Sequence, residues 1–331
     1  MANVGHDLVA VLDWGLGHAS RCVPVIEQLI DAGQEVTIAS SGKALQFLRE
    51  HFPVADYLEL PAYEIRYPFH SMVLNLFLQG PRTLRTIWQE HRLIGQAIRQ
   101  RSIQRIISDG RFGCWHPEVE SVWLAHQLHI QHTNLRVANM ANTFYHAYIR
   151  KRYQYVWVPD REIEPRLAGR LSQPIPGLPH QYLGARSRYA DVRPNVVEQQ
   201  PYHYLALLSG PEPQRSYFEQ QVREELLRMQ VPALLVRGVP GSTQIRAATG
   251  QLMEVDWLLG ENLLEAVQQS QQIICRSGYS TLMDAHYWGK PLLLVPTPGQ
   301  TEQAYLARYW AEQGWADWQA QENFLLKKSA I

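Results

Sequence analysis

The sequence carries no excess charge of either sign. Its 31 lysines and arginines balance 31 aspartates and glutamates, so we expect no nucleic-acid partner. The three cysteines, Cys22, Cys114 and Cys275, lack the spacing of a zinc site or a disulfide framework, which favours a reducing cytoplasm. No run approaches the roughly 20 apolar residues of a membrane span. The first residues lack the basic and apolar regions of a signal peptide, so we expect a cytoplasmic protein.

Short apolar segments alternate with helical periodicity along the chain. Predicted strands cover residues 8–12, 35–39, 105–109, 155–158, 204–208, 233–236, 272–275 and 292–295. Predicted helices cover residues 20–32, 82–100 and 219–229. This alternation favours doubly wound parallel sheets, and 331 residues suffice for two domains. We predict an α/β fold with one domain over 1–193, a polar, Pro-bounded linker over 194–201 and a second domain over 202–331.

The stretch from Arg276 to Asp284 has the pattern of a phosphate cradle. The strand over 272–275 ends at Ser277-Gly278, a turn that would begin a helix whose free N–H groups bind an anion such as a diphosphate. Ser277 and Thr281 add hydroxyl donors, and Asp284 can hold a diol. The next strand leads to Gln300 and then to Glu302-Gln303, a carboxylate and an amide that can bind sugar hydroxyls. These residues, with Gly278, are the predicted donor site.

The spacing Ser-Gly-x-x-Thr-x-x-Asp, followed by a Pro-rich loop with Glu-Gln, resembles the nucleotide-sugar site of the GT-B glycosyltransferases. It is most similar to the bacterial N-acetylglucosaminyl transferases that make the peptidoglycan lipid precursor, and less so to the UDP-glycosyltransferases. The resemblance implies that Asp284 holds the ribose, where the family usually has Glu. It also implies that Glu302 and Gln303 contact the sugar.

A second donor loop follows the strand over 204–208. The resemblance places phosphate contacts at Ser209 and Gly210. Pro211 and Pro213 each remove a backbone donor, so we assign charge neutralisation there to Arg215. The resemblance places the base pocket near residues 257–260, but the sequence does not identify the base.

The amino-terminal motif runs from Asp13 through Gly15, Gly17 and His18 to Arg21. Its glycines let the backbone approach a ligand, and the carboxyl end of a parallel sheet is where open α/β folds bind ligands. The resemblance implies that His18 faces the acceptor as a general base, with Gly17 and Arg21 on the acceptor side. The alternative is that His18 caps the helix or bonds a nearby carbonyl.

Two further segments carry candidate residues. Asp109 ends the strand over 105–109 and Arg111 follows it, so we expect Asp109 to orient His18 or the acceptor as part of the catalytic site, and Arg111 to lie on the acceptor side. An Asx turn before Gly110 is the alternative. His126, His129 and His132 are three residues apart without cysteine, which favours a structural role over zinc.

An apolar, aromatic and basic segment covers residues 63–92. It contains Arg66, Tyr67, Phe69, Met72, Leu74, Leu76, Phe77, Leu78, Arg82 and Arg85. Such a stripe is either core or, if exposed, a peripheral contact with the inner face of the membrane that suits a lipid-linked acceptor.

These features together predict two Rossmann-like domains facing across a cleft, the second binding the donor. We expect an enzyme of cell-envelope glycan synthesis that transfers a sugar from a nucleotide diphosphate, UDP by preference, to an acceptor hydroxyl with inversion. No Asp-x-Asp motif falls in a fitting place, so we expect no metal and no cofactor, the UDP-sugar being a co-substrate. One alternative is a nucleotide-sugar hydrolase, since Gly17-His-x-x-Arg-Cys22 resembles hydrolases of sialic-acid-like sugar pathways. The other is a non-catalytic nucleotide-sugar sensor.

Overall fold

The computed structural model describes residues 5–63, 72–132, 134–187, 189–190, 200–239, 245–247 and 250–327. The chain divides into two compact units, Met1–Arg188 and Tyr189–Ile331. Residues 200 and 201 are the part of the predicted linker over 194–201 that the structure describes. Within these described ranges, no helix has the length and apolarity needed to cross a membrane.

The first unit is a parallel sheet with helices between its strands. The strands are β1 (His6–Val11), β2 (Glu35–Ser40), β3 (Asp56–Glu59), β4 (Arg105–Asp109), β5 (Glu120–Leu124), β6 (Tyr155–Val158) and β7 (His180–Tyr182). The helices are α1 (Leu16–Asp31), α2 (Gly42–His51), α3 (Met72–Arg101) and α4 (Leu135–Arg152).

The strand order of this sheet is β3-β2-β1-β4-β5-β6-β7. The chain therefore winds outward from β1 in one direction and from β4 in the other, and the order reverses between these two strands. Their register places Val11 opposite Asp109, and Leu12 N donates to Asp109 O over 3.1 Å. The loops after β1 and β4 are thus neighbours at the topological switch point, where open α/β sheets bind ligands.

Continuous apolar strands explain why the first sheet is covered on both faces. Residues 8–11 are fully buried, as expected for a central parallel strand. One core cluster packs β1 and β4 against the carboxyl-terminal part of α3 through Ile94 and Ala97. Another packs Trp123 of β5 with Ile149 of α4. These cores hold the ends of β1 and β4 in place.

The second unit repeats the architecture with one antiparallel edge strand. Its strands are β8 (Tyr202–Leu207), β9 (Ala233–Val236), β10 (Ile245–Ala247), β11 (Leu252–Val255), β12 (Ser270–Cys275), β13 (Leu292–Leu294) and β14 (Asp317–Trp318). Its helices are α5 (Gln214–Met229), α6 (Gly260–Gln268), α7 (Tyr279–Trp288) and α8 (Thr301–Glu312).

The strand order of the second sheet is β10-β11-β9-β8-β12-β13-β14, with β10 antiparallel to β11. The order reverses between β8 and β12, so the loops that follow these strands form the switch point of this unit. The core beneath them includes Phe218 of α5, Ile274 of β12 and Val295. The predicted α/β class with two doubly wound domains is confirmed.

Helix α1 begins earlier than the sequence pattern predicted. The predicted start was residue 20, but the helix begins at Leu16, after Gly15 with a φ of +78°. Gly17, His18 and Arg21 therefore lie on the first turns of a helix and not in a loop. Because these residues are helical, their spacing determines which of their side chains share one face of α1.

Candidate active site

His18 and Asp109 meet at the switch point of the first unit. His18 Nδ1 lies 2.9 Å from Asp109 Oδ2. Asp109 is fully buried, whereas 23% of the His18 side chain is exposed. A carboxylate accepts and does not donate, so the Nδ1 proton points to Asp109 and Nε2 carries the free lone pair. The predicted pairing of these two residues is therefore present, in the arrangement of an oriented general base.

Three residues of α1 converge on the same carboxylate. His18, Arg21 and Cys22 stand at positions i, i+3 and i+4, which share one face of a helix. Arg21 Nε donates to Asp109 Oδ1 over 3.1 Å, and Arg21 Nη2 also contacts that oxygen. Cys22 Sγ lies 3.4 Å from Asp109 Oδ2. The pattern Gly-His-x-x-Arg-Cys thus builds a single hydrogen-bonded cluster.

The charges of this cluster set the protonation states. Burial by itself would raise the pKa of Asp109, but Arg21 and His18 hold that pKa well below its usual range. Burial lowers the pKa of His18, and the Arg21 guanidinium lowers it further against the opposing effect of Asp109. Asp109 is therefore ionised and His18 neutral at neutral pH. A neutral imidazole is the form that accepts a proton.

Arg21 is less an acceptor contact than a support for this pair. It is buried, and its Nη2 lies 2.8 Å from His18 Nδ1. Its Nη1 lies 2.9 Å from His126 Nδ1. The acceptor-side prediction for Arg21 is wrong, because its guanidinium is engaged with Asp109 and His126 inside the unit. Gly17, by contrast, is exposed beside His18.

Gly110 keeps the space next to the His18 ring open. Its φ of +74° is in the left-handed region, and a Cβ built there would lie 3.0 Å from Leu12 Cδ2 and 3.5 Å from His18 Cε1. A side chain at this position would strain the turn and press on the imidazole. The turn after β4 is therefore compatible both with an Asx turn at Asp109 and with the pairing of Asp109 and His18.

Arg111 does not face an acceptor. It is fully buried, its Nε donates to Val11 O over 2.8 Å, and its Nη1 donates to Glu90 Oε1 over 2.8 Å. Glu90 is itself buried and accepts from Tyr63 Oη over 2.7 Å. The acceptor-side prediction for Arg111 is wrong, since this ion pair ties the ends of β1 and β4 to α3 and leaves no donor for a ligand.

The three histidines of the segment after β5 do not form a metal centre. His126 contacts Arg21, while His129 Nε2 lies 3.1 Å from Gln173 O. Across the described part of the chain, no group of three His, Cys, Asp or Glu side chains is placed to hold a metal ion. These contacts fit the structural role that the sequence favoured.

In the second unit, the predicted cradle lies at the amino terminus of α7. Gly278 is the N-cap residue and has no side chain with which to cap the helix, and a glycine turn before a helix start is an arrangement that binds anions. Ser277 is buried, and its Oγ donates to Gln303 O over 2.8 Å. Thr281 is half-buried and Asp284 is buried on the same helix. The helix start that the Ser-Gly turn predicted is thus where the sequence placed it.

The loop before α8 folds onto itself through Gln303. Thr297 N donates to Gln303 Oε1 over 2.8 Å, and Gln303 Nε2 donates to Gln300 Oε1 over 2.6 Å. The amide of Gln303 therefore shapes this loop, whereas Glu302 lies in the first turn of α8, half-buried. Their contact with a sugar stays a prediction.

Arg215 does not supply the charge for a phosphate. It is buried and pairs with Glu212 and Glu219, with Nη1 2.5 Å from Glu219 Oε2. Glu212 Oε2 also accepts from Ser216 N over 3.2 Å, so this carboxylate already occupies the amino terminus of α5. The assignment of Arg215 to the donor is wrong for that reason. Ser209 and Gly210, at the end of β8, are exposed.

Arg276 was not among the predicted site residues. It is almost fully buried, and Nη1 donates to Val295 O over 3.1 Å and to Pro296 O over 3.2 Å. Nη2 donates to Gln214 O over 3.2 Å and to Gln321 Oε1 over 2.9 Å. No carboxylate of the described residues pairs with it, and burial lowers its pKa to about 10. The only feature of the sequence that could have pointed to Arg276 is its position directly before the Ser-Gly turn.

Part of the apolar segment lies beyond what the structure describes. This part comprises Arg66, Tyr67 and Phe69, and the side chains of Met72, Leu74, Leu76, Phe77 and Leu78. In the following part of α3, Leu84 is 66% and Trp88 61% exposed. This part of the segment is therefore surface.

Residues 259–328 match the Glycosyltransferase family 28 C-terminal domain. No curated protein sequence matches the chain. Among solved structures, the glycotransferase of kitacinnamycin is 13% identical, with a TM-score of 0.66 over 98% of this chain and 88% of its own. MurG of Acinetobacter baumannii is 13% identical, with a TM-score of 0.58 over 97% and 87%. UGT89C1 of Arabidopsis thaliana, solved with UDP-L-rhamnose, is 12% identical, with a TM-score of 0.63 over 98% and 88%.

Because the identities are low, these likenesses establish the fold alone. The matched family domain covers α6 to the end of the described chain, including the α7 cradle and the loop before α8. The expectation of a glycosyltransferase enzyme is confirmed at the level of this domain and this fold. The chain has the fold of the GT-B glycosyltransferases, and its residues 259–328 match the C-terminal domain of glycosyltransferase family 28.

Proposed function

We propose that the protein transfers a sugar from a nucleotide diphosphate sugar, with UDP as the nucleotide, to an acceptor hydroxyl. The observation that carries the proposal is the His18–Asp109 pair, 2.9 Å apart, at the switch point of a chain with a family 28 C-terminal domain. UGT89C1 has been solved with a UDP-sugar, which supports a donor of this class. The second unit offers the start of α7, where Gly278 is the N-cap residue, for the diphosphate.

His18 acts as the general base in this proposal. Its Nε2 takes the proton of the acceptor hydroxyl while the acceptor oxygen attacks the anomeric carbon, and the bond from that carbon to the β-phosphate oxygen breaks. Asp109 stabilises the imidazolium that forms, and UDP leaves with the bonding electron pair. A single in-line displacement inverts the anomeric centre. The α7 N–H groups meet the negative charge of the leaving diphosphate, so the step requires no metal.

Hydrolysis is the second candidate, because His18, Arg21 and Cys22 form one cluster around Asp109. Water would then replace the acceptor at the same base. Incubation with a panel of nucleotide sugars, with and without candidate acceptors and with and without EDTA, separates the two. Transfer that requires an acceptor and persists in EDTA supports the proposal. Rapid release of free sugar without acceptor would contradict the proposal and indicate a hydrolase. Binding without turnover would contradict it and indicate a non-catalytic sensor.

We also propose a peripheral contact with an anionic membrane through the exposed face of α3, which suits a lipid-linked acceptor. Leu84 and Trp88 are exposed there, Arg85 is exposed beside them, and Arg92 lies over the Trp88 ring. Between residues 80 and 101 the one acidic side chain is Glu90, which is buried against Arg111. Apolar and basic residues without acids suit an anionic surface.

Vesicle co-sedimentation tests this contact. The wild type should sediment with vesicles that contain phosphatidylglycerol and not with pure phosphatidylcholine, and L84S/W88S should lose the difference. L135S/F144S on α4, where both side chains are exposed as well, is the matched control and should sediment like the wild type. Equal binding of the wild type to both vesicles would contradict the contact.

A further inference from the structure

The loop between β13 and α8 contains a hydroxyl group without a partner. Thr297 is 3% exposed, and its Oγ1 is the one buried hydroxyl oxygen of the described residues that makes no hydrogen bond. An unpaired buried polar group costs about 1–3 kcal/mol relative to a paired one. Valine has the same shape without this cost, so a packing role does not account for threonine at this position. Unpaired buried groups of this kind point to a bound partner.

Thr297 belongs to a rigid part of the loop. Its backbone N–H is fixed on Gln303 Oε1, and the carbonyl of the preceding residue, Pro296, accepts from Arg276 over 3.2 Å. Gln303 O in turn accepts from Ser277 at the start of the cradle. The hydroxyl is therefore held in place beside the turn that precedes α7. Such preorganisation suits a ligand contact.

Gly210 lies on the other side of this hydroxyl. A Cβ built on Gly210 would find Thr297 Oγ1 as its nearest neighbour, at 3.8 Å. Gly210 is exposed and has a φ of +111°, a conformation that glycine alone adopts without strain. The hydroxyl thus lies between the ends of β8 and β13, on either side of β12. No side chain at position 210 covers it.

The charges around Thr297 favour an anion. Arg276 is a buried cation with no carboxylate partner in the described chain, and it directly precedes the Ser277-Gly278 turn at which α7 begins. Phosphate oxygens are acceptors without protons to donate, and a threonine hydroxyl is a donor of the matching kind. A neutral sugar hydroxyl would not account for the unpaired positive charge nearby.

We propose that the Thr297 hydroxyl donates a hydrogen bond to the diphosphate of the bound nucleotide sugar. This inference rests on the proposed donor class and adds a contact residue from the loop before α8. Residues at the ends of three neighbouring strands, β8, β12 and β13, then surround the diphosphate. Thr297 is a binding residue in this account, and its contact distinguishes a nucleoside diphosphate from a nucleoside without phosphate.

Calorimetric titration of wild type, T297V and T297S with UDP and with uridine tests the contact. T297V should weaken UDP binding by about 10- to 100-fold, the range for a hydrogen bond to a charged group, and should leave uridine binding unchanged. T297S retains the hydroxyl and should keep the affinity for UDP. The melting temperature of T297V should not fall, because the hydroxyl has no partner in the free protein.

The matched control is T37V in the first unit. Thr37 is also buried, but its Oγ1 donates to Asp56 Oδ2 over 2.9 Å, so the same substitution should lower the melting temperature and leave UDP affinity unchanged. Wild-type affinity of T297V for UDP would overturn the inference alone. Equal losses for UDP and uridine, or a fall in the melting temperature of T297V, would also overturn it. Absence of UDP binding by the wild type would overturn the proposed donor as well.

Discussion

The substitution D109N removes one charge from the cluster around His18 and should abolish most of the turnover. His18 Nδ1 lies 2.9 Å from Asp109 Oδ2 and 2.8 Å from Arg21 Nη2. At an effective dielectric constant of about 20, each contact is worth roughly 6 kcal/mol to an imidazolium, one attractive and one repulsive. The two nearly cancel, which leaves burial as the leading cause of the lowered His18 pKa.

In D109N, no negative charge offsets the repulsion between the Arg21 guanidinium and the His18 imidazolium. The imidazolium that must form as His18 takes the acceptor proton becomes unfavourable, and the amide no longer selects the Nδ1 proton. We expect kcat to fall by about 10²–10⁴, the range for loss of general base catalysis. UDP affinity should stay unchanged, because we propose that UDP binds to the second unit.

Steady-state kinetics on the purified variant give kcat, and calorimetry gives the affinity for UDP. A melting curve must accompany them, because Arg21 would be left as a buried cation and stability should fall by about 3–5 kcal/mol. Assays below the melting transition keep the two effects apart. A folded D109N enzyme with kcat within about threefold of the wild type would refute the role of Asp109, since general base catalysis contributes at least about a hundredfold.

Three further predictions concern the remaining contacts. The kcat/KM of the wild type should fall as pH decreases through a value below 6.5, the ordinary pKa of histidine, because burial and Arg21 lower the pKa of His18. R21Q removes one of these causes, so in this variant the fall in kcat/KM should occur at higher pH. An unchanged pH profile in R21Q would exclude an effect of Arg21 on the His18 pKa. D284A should weaken binding of both UDP and uridine by about 1–3 kcal/mol if Asp284 holds the ribose, and unchanged calorimetric affinities would remove it from the site. R215M leaves Glu212 and Glu219 without their shared cation, so the melting temperature should fall while UDP affinity below the transition is retained, and a selective loss of UDP affinity would return Arg215 to the donor site.

Eight of the fourteen strands in the described residues, and the start of α7, followed from local sequence patterns. Buried parallel strands are short apolar runs, and those over 105–109, 155–158 and 233–236 coincide with β4, β6 and β9. The Ser277-Gly278 turn marks the start of α7 because serine and glycine commonly precede a helix. The pairing of His18 with Asp109 followed from their places after two strands that both run to the same edge.

The arginines could not be assigned from the sequence. Arg21, Arg111 and Arg215 stand at the ends of strands or the starts of helices, where a ligand contact and an internal ion pair have the same local pattern. Their partners, such as Glu90 for Arg111, lie on other elements, so burial decides the role and burial depends on tertiary packing. Helix α4 was missed because its apolar residues do not follow a single face, with Leu135 and Phe144 exposed and Ile149 buried.

The central claim is that His18 is the general base of glycosyl transfer, and turnover of H18A measured together with its affinity for UDP tests it most directly. The Nε2 atom is the only part of the imidazole left for the acceptor, because Nδ1 is held by Asp109. We predict that H18A folds, binds UDP like the wild type and turns over about 10²–10⁴ times more slowly. Near-normal turnover of H18A on the acceptor that the wild type uses would contradict the account.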